Sequence, residues 1–339
     1  MHAATRGLIP HLETLADDLC TAVLAWRAGQ IELEMRPQHQ GVGDVSFAPD
    51  EVAEQLLEAW LAEQAAASPL SLFTEDLGWR HRGPDGAGGS RELADFGHGG
   101  PRVVIDPIDG TRPWLHGLRS AWTVVAVAGP GGGLPRMAEV EWGLVAELPL
   151  AAGHPRRVLG AGWGEGAWLD AGDGRTPLRC PDRAAVDHAF FSFFAYHPAV
   201  RAPIDAIAWR FFERLERLEG AQVDHCYDDQ YIASGGQLAL LALGHYAMAA
   251  DLRPWVVGLN GAKSQCAKAY DIAGAVLVAR EAGCEVLSPD GSQLDFALDG
   301  EGPVGFVAYP GLRSRERLHP HFGAMLAESG VSRRPFLAT

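Results

Sequence analysis

The chain has 339 residues, 47% of them hydrophobic and 21% charged. That composition excludes a chain that is mainly disordered, because there is enough apolar surface to offset chain entropy, and the length suits one large domain or two modest ones. Asp plus Glu number 43 and Lys plus Arg 28, a formal charge of −15. A surface this acidic repels nucleic acid and anionic membranes, so neither a nucleic-acid polymer nor a membrane is expected as a partner. An anionic small substrate stays compatible if metal ions invert the charge locally.

Cys20, Cys180, Cys226, Cys266 and Cys284 are scattered and form no C-x-x-C pair. An odd, dispersed set reads as reduced thiols in a cytoplasmic protein. Glu13, Asp17 and Asp18 interrupt every apolar run near the start, and no run elsewhere is long enough to span a bilayer.

In chain order, Leu12, Leu15, Ala16, Leu19, Val23 and Trp26 recur at helical spacing with Gly29 as a stop. A second helix is predicted after Asp50, over 51–66. Residues 83–100 are glycine-rich and polar and are predicted to form a mobile surface loop. The β-branched runs at 102–105 and 121–128 predict buried strands, and strand character continues over 137–145 and 156–169 up to the turn cluster at 170–174. Helices are then predicted at 203–219, 236–243 and 271–282, strands at 245–251, near Glu285 and at 305–309, and a loop at 252–269. The first half reads as α+β and the second as more regular α/β, with a division near 180 into halves 1–180 and 181–339.

Chemistry concentrates in Val103-Val104-Ile105-Asp106-Pro107-Ile108-Asp109-Gly110-Thr111. A buried strand leads into two carboxylates, a glycine, a hydroxyl and Pro113, which is tolerated at the first position of a helix. Carboxylates converging at a strand end are the hard oxygen ligands that Mg²⁺ needs. Backbone N–H groups of Gly110 and Thr111 at a helix start would cradle phosphate. Asp-Pro and Asp-Gly are also common turn formers, an equally weighted reading of the segment alone. A D-x-D-G-T phosphatase with an aspartyl nucleophile is excluded by spacing, since the residue two before Gly110 is Ile108. Glu75, after the apolar run ending at Phe73, and Asp271, opening an apolar helix, are further acidic candidates. Their plainer readings are a solvated charge and a helix N-cap. Asp50, at the start of its helix, has the same N-cap alternative.

IDPIDGTRPWLHG at 105–117 and YDIAGAVLVAREAG at 270–283 resemble the two signatures of the inositol monophosphatase family of metal-dependent, lithium-sensitive phosphatases. DVSFAPD at 44–50, TEDL at 74–77, GEGAWLD at 164–170 and ASGGQLALLALG at 233–244 are similar to the segments between them, in family order. The resemblance implies a layered α/β (α+β) sandwich of the sugar-phosphatase type, with the site between its halves. It further implies that Glu75, Asp106 and the carbonyl of Ile108 hold one Mg²⁺, and that Asp106, Asp109 and Asp271 hold a second; a third ion beside Glu75 is common in the family. Thr111 would hydrogen-bond the attacking water with Asp50 orienting it, Gly110 and Thr111 would receive the phosphate, and Ser234 and Asp251 would meet substrate hydroxyls. No covalent phosphoenzyme is implied, and homodimerisation is.

Mutual repulsion of these carboxylates predicts a loose site without cations and a metal-sensitive 83–100 segment. His39, or Gln38, stands where the family has a lysine; Asp170 replaces Asn, Tyr270 replaces Trp, and the Asp251–Tyr270 connection, with Arg253, Trp255, Lys263 and Lys268, is long. These departures leave the alcohol open. An inositol, polyol or sugar phosphate is the first reading; fructose-1,6-bisphosphatase, histidinol-phosphate phosphatase and 3′(2′),5′-bisphosphate nucleotidase activities are the rivals. A non-catalytic metal or phosphate binder is the reading from another class, disfavoured by Thr111, because metal binding alone needs no water-orienting hydroxyl. His188, His197, His225 and His245 show no metal-ligand spacing and read as structural. GAGWGEG at 160–166 opens no helix and does not read as a dinucleotide loop.

Overall fold

The computed structural model describes residues 1–30, 38–40, 45–256 and 266–330. In chain order come α1 (Ala3–Ala28), the short pair β1 (His39–Gln40) and β2 (Val45–Ser46), and α2 (Ala48–Ala67). Next follow β3 (Leu70–Thr74), β4 (Gly78–Pro84), β5 (Ser90–Glu92), β6 (Arg102–Asp109), the one-turn α3 (Thr111–Leu115), β7 (Ala121–Ala128) and β8 (Val140–Leu148). The hairpin β9 (Val158–Gly162) and β10 (Gly166–Asp170) and then β11 (Arg175–Leu178) end that series. Beyond it lie β12 (Phe190–Phe193), α4 (Pro198–Glu219), β13 (Tyr227–Asp228), α5 (Ser234–Ala242), β14 (Tyr246–Asp251) and α6 (Arg253–Val256). The chain closes with α7 (Ala269–Glu281), β15 (Glu285–Leu287), β16 (Phe306–Tyr309) and α8 (Leu312–Ser329).

Among the described residues, β3 to β11 build a nine-stranded sheet in the order β11-β10-β9-β8-β7-β6-β3-β4-β5, and β12 to β16 a five-stranded sheet in the order β13-β12-β14-β16-β15. α1 and α2 cover one face of the large sheet, α5 and α7 lie between the two sheets, and α4 and α8 cover the far face of the small one. Alternation along the strands explains the layering. Val103 and Ile105 of β6 join Leu12, Leu19 and Leu57 in the outer core, whereas Val104 joins Val124, Ala126 and the residues of α7 in the core between the sheets. A third core fills the space between the small sheet and α4 and α8, with Phe191, Phe193, Phe211 and Phe322. The structure is thus a mixed α/β layered sandwich.

Contact between α7 and the large sheet depends on a glycine. A Cβ on Gly274 would stand 2.0 Å from the Val125 carbonyl oxygen, so only glycine lets the helix lie this close to β7.

Several expectations need correcting. Residues 83–100 are not one loop: β4 and β5 pair as a hairpin, and Asp85 caps its turn by accepting from the N–H groups of Ala87 and Gly89. Alternation over 79–82 was masked in the sequence by Arg80, His81 and Arg82; Arg80 and Arg82 reach back to Glu58 of α2. The run at 137–145 is a strand only from Val140, after a single 3₁₀ turn. The predicted loop at 252–269 begins as α6, and of the remainder Lys263 and its neighbours lie outside the described residues, as does Asp44; nothing is described of the His39 side chain. The glycines of 160–166 form the β9–β10 hairpin, as their failure to open a helix suggested. No helix among the described residues is long and apolar enough to cross a membrane.

Candidate active site

Residues three apart on a regular strand face opposite sides, so Asp106 and Asp109 should diverge. They converge because β6 is bulged between them: Asp106 pairs with Val124 and Asp109 with Trp122, three steps on one strand against two on the other. Pro107, which has no N–H for the ladder, sits in the bulge, and its carbonyl accepts from Thr123 Oγ1 at 2.9 Å. The bulge also sends Ile108 into the outer core while returning Asp109 to the inner side. Oxygens of Asp106, Asp109 and Asp271 come within 4.8 Å of one another.

Each of these carboxylates is held by backbone N–H groups. Asp106 Oδ1 accepts from Ile108 N at 2.9 Å, and Asp271 Oδ2 from Lys268 N at 2.6 Å. Asp109 takes the N-terminus of α5: Oδ2 accepts from Gly235 N at 2.7 Å and Gly236 N at 3.2 Å, and Oδ1 from Ser234 N at 3.2 Å. This capping role was not read from the sequence. A signal existed, since α5 starts after Ala233, which has no side chain able to cap it.

Asp271 and Asp50 play equivalent local parts. Neither is the N-cap; each occupies the third helical position and reaches back to the N–H of the cap residue, Lys268 or Phe47. Asp50 Oδ2 accepts from Phe47 N at 2.7 Å, while Oδ1 lies 3.3 Å from Thr111 Oγ1. Thr111 Oγ1 also lies 2.8 Å from the Ile108 carbonyl oxygen, so one hydroxyl proton has two acceptors within reach. Pro113 is the third residue of α3, not the first, still inside the turn where a missing N–H costs nothing. Gly110 precedes that turn at φ 94°, and a Cβ there would meet the Ile232 carbonyl oxygen at 2.9 Å, so both conformation and space require glycine.

Glu75 follows β3 and faces the Asp106 carboxylate, whereas neighbouring Asp76 is tied to the Ser46 hydroxyl. Burial pushes the Asp106 carboxyl well above the ordinary range, and repulsion from Glu75, Asp271 and Asp109 adds to it. Burial, then Asp271, raises Asp109 to about 8 against the opposing pull of its three N–H donors. Asp50, buried, is raised to about 7, chiefly by that burial. A buried cluster of hard oxygens that resists ionising together is one that a divalent cation would stabilise, so the donor set fits a metal such as Mg²⁺.

These groups line a cleft open to solvent. Glu75, Asp106, Ile108, Asp109, Gly110, Thr111, Ser234 and Asp271 all border it. Asp251 does not. It is 0% exposed at the end of β14, and Arg253 takes both its oxygens. Arg112, Tyr196, Phe194 and Cys266 border the cleft without having been assigned from the sequence, as does Arg253, for which the sequence left open a place at the substrate mouth or a covering role. Away from it, Asp187, His188 and His225 bring ligand atoms together, but the two imidazoles stack 4.5 Å apart at 9°, so no single ion lies in both ring planes.

A mixed α/β sandwich with a buried carboxylate cluster in a cleft between its sheets defines a phosphatase-like class. The inositol monophosphatase family model matches residues 23–310, and the chain belongs to that family. It is 25% identical over 271 residues to the fructose-1,6-bisphosphatase/inositol-1-monophosphatase of Methanothermobacter thermautotrophicus, covering 79% of this chain and 80% of that one. In fold it is similar to the Thermotoga maritima IMPase, with a TM-score of 0.62 at 17% identity over 95% of this chain and 99% of the other. It is likewise similar to Mycobacterium tuberculosis SuhB, with a TM-score of 0.58 at 20% identity over 94% and 95% of the two chains. Family membership makes the protein a phosphoric monoester hydrolase.

Proposed function

We propose that the protein hydrolyses a small phosphate monoester with Mg²⁺, by direct attack of water and without a covalent intermediate. The observation that carries this reading is the convergence of Asp106, Asp109 and Asp271, each held by backbone N–H groups. Glu75, Asp106 and the Ile108 carbonyl would hold one ion, Asp106, Asp109 and Asp271 another, with a third beside Glu75. Bound there, Mg²⁺ would supply charge neutralisation for the phosphoryl group and leaving oxygen and lower the pKa of water.

The chain's own residues do the rest. Thr111 Oγ1 donates its hydrogen bond to Asp50 Oδ1 or to the Ile108 carbonyl, which leaves a lone pair to accept from the attacking water and hold it in line. Gly110 and Thr111 N–H groups receive phosphate oxygens; α3 is a single turn, so the effect comes from the N–H groups and not from a helix dipole. Arg112, stacked 5.4 Å over Phe47, adds a cation at the mouth. The separate sheets support a division into halves 1–180 and 181–339 meeting at the site, with Asp271 and Ser234 in the second. A homodimer in a cytoplasmic setting completes the proposal, the latter supported by five free thiols.

A panel of inositol 1-phosphate, fructose 1,6-bisphosphate, histidinol phosphate and adenosine 3′,5′-bisphosphate, assayed for phosphate release with and without Mg²⁺, tests this. Mg²⁺-dependent release that disappears in Asp109→Asn is the expected result. Release that survives in Asp109→Asn would remove the assigned site.

A further inference from the structure

Of the cleft carboxylates, Asp106 and Asp109 stand on β6 and Asp271 on α7, whereas Glu75 stands on a turn. β3 and β4 pair from Leu70 with Arg82 to Thr74 with Gly78, which leaves Glu75, Asp76 and Leu77 as a three-residue hairpin turn closed by Gly78 at φ 68°. Such a turn positions a side chain only as well as its tip and stem are held. At the tip, Asp76 is bonded to the Ser46 hydroxyl. At the stem, Thr74 is 1% exposed, and its Oγ1 accepts from Arg80 Nη2 at 3.0 Å while donating to Glu54. The same Nη2 donates to Glu54 Oε1 at 2.9 Å, and Nη1 to Glu58 Oε2 at 2.8 Å. One planar guanidinium thus holds three acceptors on two elements in a fixed plane. The Arg80 and Glu54 side chains are 16% and 13% exposed, too little for the pair to loosen as a surface ion pair does.

Glu54 lies one turn beyond Asp50 on α2, and Asp50 is the residue that reaches Thr111. The Arg80 cluster therefore ties the turn that carries Glu75 to the helix that carries Asp50. Arg80 itself does not border the cleft, so its contacts reach the site only through those two carboxylates. A charge role and a clamping role predict opposite signs. As a bare charge Arg80 repels a divalent cation, and its removal should tighten Mg²⁺ binding; as a clamp, its removal should weaken that binding.

Resting on the metal-dependent phosphatase reading above, we propose that Arg80 is a positioning residue that fixes Glu75, and with it the ion Glu75 would hold, relative to Asp50 and the attacking water.

Calorimetric titration with Mg²⁺, and titration with Mn²⁺ followed by the EPR signal of the free ion, read the site without turnover. Arg80→Met should weaken binding about ten- to hundredfold in the class of sites that Glu75→Gln removes, the usual effect of losing a residue that orients a metal ligand. Added to Glu75→Gln, it should cost nothing further, because a residue that acts through Glu75 has nothing to position once that carboxylate is gone. Arg80→Met strands a buried charge at Glu54, so the same titrations are made on Arg80→Met/Glu54→Gln. That pair keeps an acceptor for Thr74 and should recover stability while retaining the weakened binding. In phosphate release, half-saturation by Mg²⁺ should rise in the same proportion while KM for the ester at saturating Mg²⁺ keeps its wild-type value. Unchanged or tighter metal binding in a folded Arg80 variant, or a penalty that persists in full beside Glu75→Gln, overturns the inference. Binding that weakens as expected, with no Mg²⁺-dependent release from any ester of the panel, overturns the phosphatase reading and leaves the positioning role standing. Absence of divalent-metal binding in the wild type overturns both.

Discussion

Gly274→Ala tests whether packing of α7 sets the site. The added Cβ would lie 2.0 Å from the Val125 carbonyl oxygen and 2.7 Å from its carbon, both backbone atoms of a central strand. Ordinary contact begins near 3.4 Å, so α7 must retreat by about 1.4 Å at that point. Overpacking costs roughly 1–3 kcal/mol where side chains can adjust, and here the obstacle is backbone, so the upper end applies. For a chain of this size that is a loss of roughly 6–12 °C in Tm, at about 2–4 °C per kcal/mol. Asp271 lies one turn before Gly274 on the same face and moves with it. Metal–ligand distances tolerate only about 0.2 Å, so half-saturation by Mg²⁺ rises at least tenfold on top of the loss in Tm. Calorimetry and a Mg²⁺ titration of phosphate release measure the two effects. Gly323→Ala is the control: that glycine lies within α8 with nothing within 4 Å of an added Cβ, and the change should stabilise by about 0.5–1 kcal/mol. Wild-type Tm and Mg²⁺ response in Gly274→Ala would refute the argument.

Arg253→Met alone leaves Asp251 buried and charged, and should cost roughly 3–5 kcal/mol in denaturant unfolding, while the double variant with Asp251→Leu recovers most of it. A loss below about 1 kcal/mol in the single variant would show that the pair is solvated in solution. Without metal, stability should fall as pH rises. Asp109, at about 8 when folded, and Asp106, also raised, bind protons that the unfolded chain with ordinary carboxylates has already released. Their stabilisation is present below about pH 4 and lost toward pH 8, so Tm in EDTA should decline across that window; Mg²⁺ should flatten the decline, and Asp109→Asn should reduce it. A Tm that rises over the same window in EDTA would contradict the electrostatic account of the empty site.

What the sequence made legible were features with a strong period or fixed chemistry. The apolar stripe of α1, the β-branched strands β6 and β7 and the D-x-x-D-G-T run stood out because burial and ligation demand those residue types in those places. The bulge that makes Asp106 and Asp109 converge was only implicit in Pro107, since the register of β6 on β7 is a property of two strands. β4 escaped because Arg80, His81 and Arg82 face α2 and the hairpin instead of the core, so hydrophobic alternation is absent. Asp251 was assigned to the substrate by the family resemblance alone. Its capture by Arg253, two residues on, depends on α6 turning the guanidinium back, and no periodicity reports that. Asp109 as the cap of α5 links residues 125 or more apart; that Ala233 cannot cap the helix is a local hint, but it does not say which residue does.

The central claim is that the Asp106, Asp109 and Asp271 cluster is a catalytic divalent-metal site. Its most direct test is the rate of phosphate release as a function of free Mg²⁺ for the wild type and for Asp106→Asn, on any monoester the protein turns over. The account predicts a saturable rise from zero in EDTA for the wild type, and no release at any Mg²⁺ concentration for a folded Asp106→Asn variant. Release that persists in EDTA, or that Asp106→Asn retains at the wild-type Mg²⁺ dependence, would contradict it.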